Sequence, residues 1–203
     1  MRKHSGIGLC LMIVGVVSFL IPPVPATVEA KKSTEHFSAL GLLPAGAGVR
    51  MIGPGTTMNL NIIIQSYTPD ADAKRYASVL IENGSNALLK ELEKTKSIGK
   101  VSLVGRVGQF DLKLIRSRPA EGGRRIVGVC DRPIQFLEAY VSGRSMDYTF
   151  GILILDLKTN DKGKEEGVGQ LIYAAKVKVL EGNNVEVENY GVEPARLQGV
   201  RKL

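Results

Sequence analysis

Asp147-Tyr148-Thr149-Phe150-Gly151-Ile152-Leu153-Ile154-Leu155-Asp156-Leu157 is the stretch on which the fold turns. In an extended chain successive side chains point to opposite faces. Tyr148, Phe150, Ile152 and Ile154 therefore share one face, and Leu153, Leu155 and Leu157 share the other. A strand apolar on both faces needs cover on both. It is either central in a sheet or has a further element packed against its second face.

The flanking sequence supplies partners for it. Downstream, Asn160-Asp161-Lys162-Gly163-Lys164 is a polar turn, and Leu171, Tyr173, Ala175, Val177 and Val179 alternate in the next strand. Glu181-Gly182-Asn183-Asn184 turns the chain into Val185-Glu186-Val187-Glu188, and Ala195 to Val200 is expected to close the sheet. Upstream, Arg125 to Cys130 is the return arm of a hairpin whose turn is Pro119-Ala120-Glu121-Gly122-Gly123. Its first arm holds Phe110, Leu112 and Leu114, alternating with Asp111 and Lys113. Val101, Leu103 and Val104 form a shorter strand before it.

Earlier still, Met58, Leu60, Ile62 and Ile64 alternate within Thr56 to Ser66, the first strand of the set. Thr68-Pro69-Asp70 then opens a helix: threonine can cap, proline suits the first turn, and aspartate favours the positive end. Tyr76, Val79 and Leu80 form its apolar stripe, and Asn83-Gly84 is a natural stop. Ser85 begins a second helix with Leu88, Leu89 and Leu92 on one face. Short links imply antiparallel neighbours. The expected fold is α+β: a mainly antiparallel sheet of about seven or eight strands, curved or closed into a barrel, with two short helices inserted after the first strand.

Before this domain the chain reads differently. Met1-Arg2-Lys3-His4 is a positive start, Gly6 to Ile21 carries no charge, and Pro22-Pro23 breaks the run. Small residues follow in the register of a cleavage site, ending at Ala26 or Ala30. Residues 1–30 therefore read as a signal peptide, and the mature chain as exported, periplasmic or extracellular. A spanning helix wants about 20 apolar residues, and this run is shorter, so no transmembrane segment is expected once the signal is cleaved. Residues 31–55 read as a Gly/Pro-rich tether on the strength of Leu42-Leu43-Pro44, Ala45-Gly46-Ala47-Gly48 and Gly53-Pro54-Gly55, with Phe37, Leu40, Leu42, Leu43, Met51 and Ile52 as apolar residues through which part of it could still pack. Residues 56–203 read as a single β-rich domain.

Composition removes several chemistries. The chain holds two cysteines and two histidines. Cleavage after Ala30 takes Cys10 and His4 and leaves Cys130 and His36. No internal disulfide can then form. A serine or cysteine nucleophile usually needs a histidine base, and zinc usually needs several His or Cys ligands. No P-loop, GxGxxG or HExxH pattern occurs. No cofactor, metal or specific nucleic acid is expected. Cys130, within Ile126-Val127-Gly128-Val129-Cys130, reads as a small buried hydrophobe.

The formal charge is +7, which suits an anionic surface or polymer. Seven cations, Arg106, Lys113, Arg116, Arg118, Arg124, Arg125 and Arg132, crowd one hairpin against Asp111, Glu121 and Asp131. Arg116, Arg118, Arg124 and Arg125 are the candidate binding residues, because guanidinium groups grip carboxylates and phosphates. The same charges would also deter edge-to-edge pairing of an exposed hairpin. A second candidate set is acidic: Asp131, Glu138, Asp147 and Asp156 could include a hydrolytic pair, though nothing in their spacing marks one and the chain has no tryptophan to platform a sugar. An eight-stranded barrel could instead hold a small ligand. The comparison with lipocalins is architectural only, since their Gly-x-Trp signature is absent. An outer-membrane barrel would need aromatic girdles and strands of about 10 residues throughout, which this chain lacks.

The segments Tyr67-Thr68-Pro69-Asp70-Ala71, Asp131-Arg132-Pro133-Ile134 and Asn189-Tyr190-Gly191 resemble an uncharacterised group of exported bacterial β-rich proteins. The resemblance implies bacterial export and carries no activity and no site residue. The expected function is that of an exported, non-catalytic domain binding a small ligand, an anionic polymer or lipid surface, or a protein partner. A carboxylate hydrolase and a purely structural cell-envelope protein are the alternatives.

Overall fold

The computed structural model describes residues 34–42, 57–105, 108–134, 148–179, 185–189 and 193–203. The expected signal peptide and its cleavage sites lie outside these residues.

Nine strands and one helical element make up the described chain. They are β1 (Glu35–Leu42), β2 (Thr57–Ile64), α1 (Asp70–Lys94), β3 (Gly99–Leu103), β4 (Gln109–Ala120) and β5 (Gly123–Cys130), then β6 (Phe150–Thr159), β7 (Glu165–Val179), β8 (Val185–Asn189) and β9 (Ala195–Lys202). Each strand from β1 to β7 pairs antiparallel with the next. β9 pairs with both β7 and β1. The sheet is therefore a closed barrel of eight strands with β8 as an extra strand. Closure answers the choice between curved sheet and barrel.

β8 and β9 lie in succession along one edge of β7. Val185 to Asn189 pairs with Val179 to Ala175, and Ala195 to Arg201 pairs with Leu171 to Glu166. Long β7 thus has one interrupted return strand. Its far half, with β8, extends past the segment paired with β9.

Eight strands leave an interior just wide enough for side chains to fill. Phe37, Leu60, Ile62, Val101, Leu112, Ile115, Ile126, Leu153, Leu155 and Leu171 fill it, all fully buried. The second apolar face of β6 is covered from outside. Phe150 and Ile152 pack with Ile172 of β7 against Tyr76, Leu80, Leu88 and Leu92 of α1. The two-faced strand is thus explained by an element lying on the barrel wall.

Several expectations need correction. Two helices were expected and one helical element is present, kinked at Gly84, whose φ of 79° and ψ of −179° are not helical. Arg75 reaches Glu91 at 2.9 Å, and Tyr76 reaches Thr95 at 2.9 Å. Sixteen residues of straight helix would separate Arg75 and Glu91 by about 24 Å, so the element doubles back at the kink. The tether assigned to residues 31–55 contains β1, which places a barrel strand ahead of the one expected to be first. Residues 43–56 lie outside the described residues. Two strands also change face midway. A register shift between Leu112 and Leu114 sends Leu112 into the barrel and Leu114 under α1. Another shift in β7, opposite Phe150 to Ile152, puts Tyr173 against the interior and Ala175 against α1. Strict alternation assigned each set to one face, and an added bulge residue reverses it.

Candidate functional site

Four of the predicted site residues divide between two places. On β5, Ile126 and Cys130 face the interior, and Arg124 shares their face by alternation. It lies in register with inward-facing Leu157. Arg124 therefore enters the barrel at the end where β1, β5 and β7 begin and β9 finishes. Glu35, Glu165 and Lys202 reach the same mouth from β1, β7 and β9, and Tyr67 reaches it from the segment after β2.

The five side chains form one network. Arg124 donates from Nε and Nη2 to both oxygens of Glu165, at 2.6 and 2.7 Å. The same Nη2 donates to Glu35 Oε1 at 2.9 Å, and Nη1 donates to the Tyr67 hydroxyl at 2.8 Å. Tyr67 in turn donates to Glu35 Oε2. Lys202 Nζ donates to Glu35 at 2.6 Å and lies 3.2 Å from Glu165. Side-chain exposure is 21% for Arg124 and 11% for Glu35. At this burial an unpaired charge would be costly, and each charge here has partners.

The protonation states follow. Burial opposes ionisation of Glu35, but the hydrogen bonds from Arg124, Lys202 and Tyr67 outweigh it and hold the carboxyl below its ordinary 4.5. Glu165 is also held below 4.5, first by its hydrogen bonds from Arg124. Burial and the adjoining Glu35 push the Tyr67 phenol upward. Two carboxylates share one guanidinium, yet neither is a proton donor near neutral pH. A glycosidase-type pair needs one carboxyl with a raised value. This site does not supply it.

Arg116, Arg118 and Arg125 face outward. Arg118 and Arg125 stand directly opposite each other across β4 and β5. Arg116 donates to Asp70 at 2.6 Å and to the Thr68 carbonyl at 2.7 Å, clipping the start of α1 to the wall. Arg125 grips Asp156 with two bonds of 2.5 and 3.1 Å. Arg118 is exposed and has no partner among the described residues. The basic hairpin is thus largely neutralised by its own fold, and Arg124 is separated from the other three.

The acidic candidates do not gather. Asp156 is held by Arg125, and Asp131 lies 3.6 Å from Lys113. Glu138 and Asp147 lie outside the described residues, as does Arg106. Among the described residues no group of three or more His, Cys, Asp or Glu could hold a metal ion. Cys130 is buried, and burial with Asp131 beside it pushes its thiol up to about 12.

Sequence reasoning missed Glu35, Tyr67, Glu165 and Lys202. A signal existed for Arg124, a charge in step with Ile126 and Cys130. None linked it to partners 41 and 89 residues away.

No helix among the described residues is long and apolar enough to cross a membrane. The barrel is apolar inside, and Asn59, Asn61, Lys100, Arg196 and Arg201 lie on its outer face. Comparison with protein-family models, curated proteins and solved structures found no match.

Proposed function

We propose that this chain is an exported, non-catalytic barrel that works as a binding module through its outer surface. The observation that carries the reading is the interior. It is occupied by interlocked apolar side chains, and the mouth network has every charge paired within it. A small-ligand carrier would need interior space, and a hydrolase would need a carboxyl poised to donate a proton. α1 folds back over β4 to β7, and among the described residues no element packs on the wall of β9, β1, β2 and β3.

Two measurements test this. Anilinonaphthalene sulfonate and a fluorescent fatty acid, titrated into the folded chain, should give no saturable binding; a micromolar site quenched by a Leu155→Trp reporter would return the function to the interior. Export is tested by N-terminal sequencing of material released by the native host. The expected first residue is Lys31 or Thr27, and a start at Met1 would overturn export.

A further inference from the structure

The uncovered wall has a chemistry that the hairpin does not. In register, Arg201 of β9 stands beside Ser38 of β1, Ser38 beside Asn61 of β2, and Asn61 beside Ser102 of β3. One unbroken row of hydrogen-bonding side chains therefore crosses four strands. With strands about 4.8 Å apart it spans about 14 Å. A second row beside it reads Gln198, Leu40 and Asn59. Among the described residues of these four strands, no carboxylate faces outward.

The cations here are unspent. Lys100 and Arg196 make no ion pair or hydrogen bond among the described residues, and Arg201 donates only to Ser38, at 3.1 Å. The bordering acids do not take them up. Glu166 of β7 is in register with Arg201, and Asp111 of β4 with Lys100, yet neither closes an ion pair there. Asp111 is instead bonded by Ser97 at 3.2 Å and lies 3.9 Å from Arg132. This contrasts with Arg116, Arg124 and Arg125, each held by a carboxylate.

Amides and hydroxyls in rows, flanked by separated cations, match a chain of hydroxyl-bearing rings that carries spaced negative charge. Among the described residues the wall has no Phe, Tyr or Trp facing outward on which bases could stack, which disfavours single-stranded nucleic acid. Its large exposed apolar side chains are Leu40, Val104 where the second row runs on past Asn59, and Leu203 at the end of β9, and three scattered side chains are too few to enter a lipid surface. We propose that the β9–β1–β2–β3 wall binds an acidic polysaccharide, with Arg201, Arg196 and Lys100 meeting its charges and Ser38, Asn61 and Asn59 its hydroxyls. This rests on the outer-surface reading above.

The test uses the full exported chain and fluorescein-labelled polygalacturonate, followed by anisotropy. Dextran, a single-stranded oligonucleotide and phosphatidylglycerol vesicles are the comparison ligands. Polygalacturonate should bind, weaken several-fold as salt rises from about 50 to 200 mM, and lose about tenfold in the Arg196→Ser, Arg201→Ser double variant. Ser38→Ala should weaken it without changing the salt dependence, and Arg118→Ala should leave it unchanged. These positions are exposed or at the surface, and circular dichroism checks that the variants fold. Equal binding by the double variant overturns the wall, as does loss on Arg118→Ala. Binding of vesicles or oligonucleotide as tight as polygalacturonate overturns the polysaccharide while leaving the outer-surface reading intact. Saturable binding of the apolar dye inside the barrel overturns that reading instead.

Discussion

Arg124 and Arg118 are six residues apart, on the two arms of one hairpin, yet their environments are opposite. Arg124 is held by two carboxylates and a phenol at the barrel mouth, whereas Arg118 stands in solvent. Arg124→Ala leaves Glu35 and Glu165 with Lys202 as their only cation in a partly buried site, and breaking such a group costs about 3 kcal/mol. Arg118→Ala should cost less than about 0.5 kcal/mol. Urea unfolding of the two variants measures the difference, and equal midpoints would refute the network's role. The same site sets an acid limit. Glu35 and Glu165 are held below 4.5 in the folded chain, so below that value the unfolded chain binds more protons. The stability they contribute is fully present above about pH 4.5 and drains away as pH falls through their folded values. Wild-type urea midpoints should therefore hold from about pH 7 to pH 5 and drop between about pH 5 and pH 3, and the drop should be shallower in Glu35→Gln. At this scale the sequence discloses the inward charge, through the step from Arg124 to Ile126 to Cys130. It does not disclose the neutralising partners, because they come from strands distant in the chain.

The helical element is tied to the wall at both ends, and the ties are few enough to name. At its start the Thr68 hydroxyl accepts the Ile115 amide at 2.9 Å, and the Thr68 amide donates to the Ile115 carbonyl at 2.9 Å. At its end Lys113 donates to the Thr95 carbonyl at 2.8 Å. Thr68 is buried, so Thr68→Val leaves an amide of β4 without its partner and should cost about 1–3 kcal/mol. Gly84→Ala should cost about 1 kcal/mol, since its φ of 79° is strained for any side chain while nothing crowds the position. Thermal melts followed at 222 nm distinguish the two: a larger effect at Gly84 than at Thr68 would contradict the tie. The start of α1 was legible in Thr68-Pro69-Asp70, but the expected threonine cap does not form: Pro69 takes the cap position with no side-chain bond, the Thr68 hydroxyl serves Ile115 instead, and Asn83-Gly84 marks the kink and not an end. β1 was not legible, because Ala39 and Gly41 are small on its inner side, Leu40 and Leu42 lie on its outer side, and Gly and Pro crowd the residues after it. The face changes in β4 and β7 were hidden for a related reason: a bulge adds a residue without leaving a composition signal in an otherwise apolar run.

Closure belongs to the whole molecule, and no local pattern could have announced it. It depends on β1 and β9, which stand at opposite ends of the described chain, with the Leu203 amide donating to the His36 carbonyl at 2.9 Å. Gly199, at a φ of 54°, lies where the β9 register with β1 shifts, so that Leu197 and Val200 both face inward. The arrangement makes a joint claim about connectivity and stability. Joining residue 203 to residue 34 by a short Gly/Ser linker, and opening the chain at the exposed Asp161–Lys162 turn, preserves every strand pairing. Such a permutant should keep a cooperative urea transition, as chains with adjacent termini usually do. Removing residues 195–203 has the opposite effect. It takes Ala195, Leu197 and Val200 out of the core, strips Lys202 from the mouth, and exposes the edges of β1 and β7 to pairing with other chains. The shortened chain should therefore elute from a sizing column ahead of the full chain and melt without a sharp transition. If it instead stayed the size of the full chain with its cooperative transition intact, the barrel would not depend on β9, and the four-strand wall proposed to bind polysaccharide would lose the strand that carries Arg196 and Arg201.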